Sequence, residues 1–358
     1  MKRLVELCDI QYGYAFDSNH FTEDKSFPQL VRIRDVKKGY SETYYNGEYP
    51  EEYVLSNGDL LIGMDGEFNI ARWKVDGALL NQRVCKVIVK NGINEEYIRF
   101  FMIKCLKKIE EKTSFATVKH LSAKELNRIE LDLPSIDEQN IIASLLSKLE
   151  MVIELRNQEL QSLDNLIKAR FVEMFGDPIK NPKGWEVVTI GDVVTEVRYG
   201  TSKPAVEGGK YPYLRMNNLT VDGHLDLNDL KYIDISDDEI EKCVVRKGDV
   251  LFNRTNSIEL VGKTAVFDLS EDMVIAGYII RVRLNERLLP EILSQYMNLE
   301  ALKDILRSMA KGAVNQANIN AQELQNIKVY VPDMELQKQF IEIKEQVDKS
   351  KVVLLSIK

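Results

Sequence analysis

Two stretches of this chain, LSAKELNRIELDLPSIDEQ at 121–139 and INAQELQNIKVYVPDMELQ at 319–337, match without a gap at an offset of 198 positions. A pattern carried twice restricts the chain to two copies of one structural unit, each with its own core. Earlier correspondences extend the repeat. Tyr12-Gly13 returns as Tyr199-Gly200, FPQLVRIRDV as YPYLRMNNL with Arg32 against Arg215, NGDLLIGMDG as KGDVLFNRTN, and LNQRVCKVIV as IAGYIIRVRL. These sit at smaller offsets, 190 for Gly58 against Gly248 and 187 for Tyr12 against Tyr199. The copies therefore differ by insertions in their loops, the part of a fold that tolerates them.

Each copy runs into a long amphipathic helix. In the first, Ser135 and Glu138 have the S-x-x-E spacing of a capping box, and Gly176 followed by Asp177-Pro178 supplies a left-handed terminator and a break. Ile142, Leu146, Leu149, Ile153, Leu160, Leu163 and Ile167 recur at alternating spacings of four and three, interrupted at Arg156 and Arg170. So narrow a stripe is a helix-pairing seam. At 1.5 Å per residue the helix is roughly 55–60 Å long. Leu336, Phe340, Ile343, Val347 and Leu354 give a second helix over 333–358 the same spacing. An antiparallel pair is the simplest way to bury both seams.

The segments between read as short strands and one late helix per copy. VRIRDV (31–36), YVLSNGDLLIGM (53–64) and RVCKVIVK (83–90) are strand-like, with Asn57-Gly58 and Asp65-Gly66 as turns. Helices are expected at 94–113 and 288–310. The fold class that follows is α+β: two similar globular domains with β-rich cores, 1–134 and 177–332, and two long antiparallel helices, 135–176 and 333–358, forming a coiled coil.

A net charge of −8 argues against a protein that coats nucleic acid without regard to sequence, yet leaves room for a reader whose cations are segregated on one face. The four cysteines (Cys8, Cys85, Cys105, Cys243) and three histidines (His20, His120, His224) are scattered, so no disulfide framework and no metal site is expected. No run of eighteen apolar residues and no signal-like N-terminus is present, so no membrane contact is expected and a cytoplasmic location is.

No catalytic constellation emerges. G-x-G-x-x-G and G-x-x-x-x-G-K-[ST] are absent, and Asn181-Pro182-Lys183-Gly184-Trp185 is better read as a turn than as an adenine-flipping motif. The chain is therefore expected to be noncatalytic and to bind no cofactor of its own.

The order domain, long helix, domain, long helix resembles the specificity subunit of type I restriction–modification enzymes. The resemblance covers essentially the whole chain. It rests on PSIDEQ and PDMELQ at the two helix starts, RFVEMFGDP at the end of the first helix, and the openings VELCDIQYG and VTIGDVVTEVRYG. It implies two target recognition domains, each reading half of a split site in double-stranded DNA. It further implies methyltransferase subunits, two of them, docked on the helices, and a motor-nuclease subunit. S-adenosylmethionine, ATP and Mg would then be held by those partners. Family members commonly carry a longer second helix than this one.

Base reading calls for Arg, Lys, Asn and Gln on rigid loops, because guanidinium groups pair bidentately with guanine and carboxamides with adenine. In the first domain the candidates are Tyr14, Arg32, Arg34, Arg72, Lys119 and His120. For Arg32 and Arg34 the alternative is a solvated strand face or a salt bridge to acids such as Asp35, and for Tyr14 it is packing. In the second domain they are Arg198, Lys203 and Arg215, suited to phosphate; Asn253, Arg254, Thr255 and Asn256 in FNRTNS; and Lys311, Asn315, Gln316 and Asn318 in KGAVNQANIN. The amides in these loops equally suit caps and turns.

Two functions fit this reading. One is a DNA specificity subunit for a bipartite site. The other is a specificity-like scaffold or regulatory protein that binds partner subunits without reading sequence.

Overall fold

A computed structural model describes residues 1–112, 119–313 and 316–356. The chain divides into two compact units, Met1–Leu155 and Arg156–Lys358. The division falls inside the long helix, whose two parts belong to different units, rather than at its ends.

In the first unit a four-stranded antiparallel sheet is built from β1 (Cys8–Tyr12), β2 (Leu60–Gly63), β3 (Asn69–Arg72) and β4 (Val84–Val89), in the order β1-β4-β2-β3. Leu60, Ile62, Cys85 and Val87 alternate onto one face and bury against Ile98, Met102 and Leu106 of helix α1 (Glu95–Lys112). The period of 2 in the strands and of 3.6 in the helix create this core. The expected strands at 31–36 and 53–64 are shorter than the pattern suggested. Leu30–Val31 gives way at once to a 3-10 turn, Ile33–Asp35, because Asp35 accepts the Arg32 amide at 3.1 Å. The second stretch is split by Gly58 at φ +95°.

Helix α2 (Ile136–Phe175) follows, 40 residues and about 60 Å long. Its start is the capping box: Ser135 N–H donates to Glu138 Oε2 at 2.9 Å, and the Glu138 amide returns to Ser135 Oγ at 3.4 Å. Gly176 ends it at φ +89°.

The second unit repeats the sheet. Strands β5 (Val194–Tyr199), β6 (Val250–Asn253), β8 (Thr264–Val266) and β9 (Ile279–Leu284) lie in the order β5-β9-β6-β8, all antiparallel. Between them β7 (Thr255–Asn256) leaves the sheet to pair with a hairpin, β10 (Lys311–Ala313) and β11 (Gln316–Asn318). The helix expected over 288–310 is two helices, α3 (Pro290–Met297) and α4 (Glu300–Met309). The break is at Asn298, whose buried amide donates to Thr264 O at 2.6 Å while its oxygen accepts from Lys303 at 2.8 Å.

The Tyr-Gly repeat has a steric cause. A Cβ on Gly13 would lie 2.0 Å from the Asn81 carbonyl oxygen, and one on Gly200 would lie 2.2 Å from that of Ile275. Only glycine lets the backbones approach this closely.

The last helix, α5 (Met334–Ser356), pairs with the C-terminal part of α2 inside the second unit. Phe340 packs edge-on against Phe171 (ring centroids 5.2 Å), and Asp164 meets Lys351 at 2.5 Å. Numbers rise along one helix as they fall along the other, so the pairing is antiparallel. Ile167, Phe340 and Val347 are buried, and Leu160, Leu163, Leu336, Ile343 and Leu354 are half-buried. The seam reading needs correction further up α2. Ile142, Leu149 (58% exposed) and Ile153 (60%) lie open and Leu146 is only half-covered. The 23 residues of α5 are laid against the C-terminal part of α2 and do not extend to this stretch of the seam.

Each helix start is pinned by a buried glutamine. Gln139 Nε2 donates to Pro134 O (2.8 Å) and its oxygen accepts the Asn94 amide (3.0 Å). Gln337 does the same with Pro332 O (2.8 Å) and the Leu289 amide (2.9 Å). These two residues close the motif that the sequence repeats without a gap.

Candidate nucleic-acid interface

In both units the strand that ends at Gly63 or Asn253 runs on beneath a loop, held by the same main-chain bonds. Met64 N–H donates to Arg83 O and Leu121 N–H to Met64 O; in the second unit Arg254 N–H donates to Tyr278 O and Ile319 N–H to Arg254 O. The frame is common, and the side chains on it differ.

In the first unit the frame presents a charged trio. His120 Nδ1 lies 2.5 Å from Asp65 Oδ1, Arg83 Nε lies 3.6 Å from Asp65 Oδ2, and Arg83 Nη1 lies 3.3 Å from His120. Arg83 holds φ at +72°, a left-handed conformation that costs a non-glycine residue about 1–3 kcal/mol and tends to collect at functional sites. Lys119, next in the loop, pairs with Glu110 at 2.9 Å.

In the second unit the same place, among the described side chains, carries amides and hydroxyls around one guanidinium. Asn253, fully buried, donates through Nδ2 to Thr255 O and Tyr278 O (3.1 Å each) and accepts from Asn256 Nδ2 at 2.8 Å. Thr255, also buried, donates from Oγ1 to Asn318 Oδ1 at 3.0 Å. Asn253 and Thr255 were expected to touch DNA; their burial rules that out, and they instead hold the strand-to-loop junction. Arg254 lies over the Tyr199 ring, 5.1 Å from its centroid. The Tyr199 hydroxyl is fixed in turn by the Ala321 amide at 2.8 Å.

The other expected contacts are dispersed. Arg72 is spent on Glu95 (2.8 Å), Glu96 (2.5 Å) and Gly58 O, packed beside the N-terminus of α1. Arg198 pairs with Glu196, Lys203 with Glu239 and Arg215 with Asp229. Bonds from Lys231 and Arg215 hold the Asp229 carboxyl below the usual carboxylate range. Arg34 is exposed and 3.9 Å from Asp35. Arg32 is exposed with no carboxylate in reach among the described residues. Tyr14 is exposed, yet its ring rests on Phe16 and Tyr53. Asn315 and the side chains of Lys311 and Gln316 lie outside the described residues.

Sequence reasoning passed over Asp65, Arg83, Tyr199 and Tyr278. The repeat held the signal for one pair: LNQRVCKVIV laid on IAGYIIRVRL sets Arg83 against Tyr278.

One set of side chains offers metal-ligand atoms. Asp164, Asp222 and His224 bring one each within 4.8 Å of one another, beside a cleft of about 720 Å³. Asp164 is already paired with Lys351, and Lys168 and Lys344 line the same cleft, so one of the three groups is committed to a protein cation. No helix among the described residues is long and apolar enough to cross a membrane.

The family model for the type I restriction modification DNA specificity domain matches residues 1–165 and 182–356. The chain is 29% identical over 371 residues to the type I restriction enzyme EcoBI specificity subunit of Escherichia coli, an alignment covering 95% of this chain and 77% of that one. It is 32% identical over 166 residues to the putative type I restriction enzyme MjaX specificity subunit of Methanocaldococcus jannaschii, covering 45% of this chain but only 39% of that relative's length. In fold it is similar to the S subunit of a type I restriction–modification system from M. genitalium, with a TM-score of 0.51 over 99% of this chain and 90% of that one at 14% identity. The two α+β units, the shared frame and the two matched regions together place this chain in the type I restriction–modification DNA specificity family.

Proposed function

We propose that the chain is the noncatalytic DNA-reading component of a type I restriction–modification assembly. Each unit reads one half of a split site through the loop frame at Asp65–His120 or Thr255–Asn318. The observation that carries this is the pairing of one main-chain frame with two unlike sets of side chains: Asp65, Arg83 and His120 in one, Arg254, Tyr278 and Asn318 in the other. A shared frame with unlike faces suits two different half-sites better than one palindrome. Direct readout comes from such groups on base edges, and Arg32, exposed with no carboxylate in reach among the described residues, suits a phosphate. Methyl transfer, which needs S-adenosylmethionine, and ATP- and Mg-dependent cleavage fall to partner subunits in the cytoplasm. The exposed stripe on α2 from Ile141 to Leu155 is a surface for a methyltransferase subunit, two of which the family resemblance implies.

Mapping methylated adenines in a host with and without this chain, its methyltransferase partner present in both, tests the reading. A split, nonpalindromic motif that vanishes with the chain is expected. The scaffold alternative predicts assembly with the partner and no motif dependent on this chain.

A further inference from the structure

We infer that Arg254 specifies a guanine in the half-site read by the second unit, and that the buried carboxamide of Asn253 reads no base. This deepens the proposed function and rests on it.

The argument is an accounting of donors and acceptors. Reading adenine needs a carboxamide with both its oxygen and its amino group free for N6 and N7. Asn253 has neither: it is fully buried and bonded at both ends. Asn256 is half-buried and tied to the same junction, its amino group donating to Asn253 and its oxygen accepting the Ser257 amide at 2.9 Å. Thr255 is buried, with its hydroxyl on Asn318.

Arg254 is the opposite case. It faces no carboxylate among the described residues, whereas Arg72, Lys119, Arg198, Lys203 and Arg215 each do. Its Nε is buried without a hydrogen-bond partner, and its one side-chain hydrogen bond among the described residues, Nη1 to Gly277 O, is stretched to 3.5 Å. Arg215 Nε and Arg281 Nε are enclosed in the same way, so an acceptor from outside would meet the Nη groups of Arg254 rather than its Nε. The guanidinium is held over the Tyr199 ring on a strand fixed by the Tyr278 and Ile319 main-chain bonds, so the orientation of its fork is set. A phosphate can also accept a bidentate fork, and a position-resolved motif separates the two. A planar, pre-oriented fork with adjacent free donors matches the O6 and N7 acceptors of guanine.

The test is methylome sequencing of a host that carries the methyltransferase partner and, in turn, the wild-type chain, Arg254→Gln and Arg254→Lys. The wild-type motif should contain a guanine in one half-site. With Arg254→Gln, modification of that motif should fall roughly 10- to 100-fold, and the guanine position alone should relax or shift toward adenine. Arg254→Lys should keep the guanine with weaker modification. A wild-type motif without such a guanine overturns the inference and leaves the proposed function standing. So does a uniform drop with every motif position unchanged, which marks a phosphate contact, or loss of all modification in both variants, which marks a structural role. Absence of any motif dependent on the wild-type chain overturns the proposed function itself, and this inference with it.

Discussion

Asp164 on the first long helix and Lys351 on the second form an ion pair at 2.5 Å, with their side chains only 23% and 12% exposed. Lys351 also reaches Asp348 at 3.2 Å, so one ammonium serves two carboxylates across the helix pair. Removing one partner leaves charge in a partly enclosed site. Asp164→Asn is expected to cost about 1–2 kcal/mol, discounted for the remaining solvent screening. A double-mutant cycle with Lys351→Met, read by thermal melting, should give a coupling of the same order, and additive single effects would contradict the pairing.

The two stretches of the α2 seam should respond in opposite ways. Phe340 is fully buried between Phe171 and Phe175, and Phe340→Ala is expected to cost about 3–5 kcal/mol. Leu149 is open, and Leu149→Gln should change stability by no more than about 0.5 kcal/mol in the isolated chain. Urea unfolding of both variants measures this. A large loss for Leu149→Gln would mean that the isolated chain covers the upper seam.

Gln337 joins three backbone groups: Pro332 O, Arg287 O and the Leu289 amide. Gln337→Leu leaves them without partners in a buried place and should cost about 2–3 kcal/mol. Hydrogen exchange at the Leu289 amide should accelerate in the variant ahead of the amides of β9.

Lys303 gives the second unit a pH dependence. Burial, helped by repulsion from Arg307, lowers its pKa from 10.5 to about 7. The folded state therefore binds the proton less tightly than the unfolded one. Between about pH 7 and 10.5 the unfolded chain holds a proton that the folded chain lacks, so stability rises with pH across that window and levels off on either side. Even when neutral, the amine can still donate to Gly262 O and Asn298 Oδ1. Lys303→Met, though less stable overall for losing those bonds, should show a flatter pH slope between 7 and 10 than the wild type. Melting temperatures at four or five pH values settle the comparison.

Much of the architecture could be read from spacing alone, because period and punctuation act locally. Ser135 and Glu138, Gly176, the alternation in VCKVIV and the twofold Tyr-Gly each name their own backbone state. What spacing does not carry is how a charge is spent. Arg72 and Arg254 look alike as letters, yet one is committed to two glutamates and the other to an aromatic ring and a carbonyl. The partner acids lie 23 and 24 positions from Arg72, and only the tertiary fold brings them close. Asn253 misled for a related reason: an amide that anchors a junction and an amide that reads a base have the same residue type and the same neighbours in sequence. The break at Asn298 was hidden by the apolar run LLPEILSQYMNLEALKDIL, since a buried Asn that satisfies Thr264 and Lys303 interrupts a helix without Gly or Pro.

The loop frame in each unit is made by main-chain groups, at Met64, Arg83 and Leu121 in one and at Arg254, Tyr278 and Ile319 in the other. Every residue but proline supplies the same amide and carbonyl, so the geometry of the reading position is nearly indifferent to which side chain stands on it. Where the side chain faces outward, at Arg254 and Tyr278, change is therefore cheap for the fold, whereas Met64, Leu121 and Ile319 are core residues without that freedom. Under the proposed function, a lineage carrying such a frame can explore new half-sites by single substitutions at the outward positions, one unit at a time, without first having to rescue the scaffold that displays them.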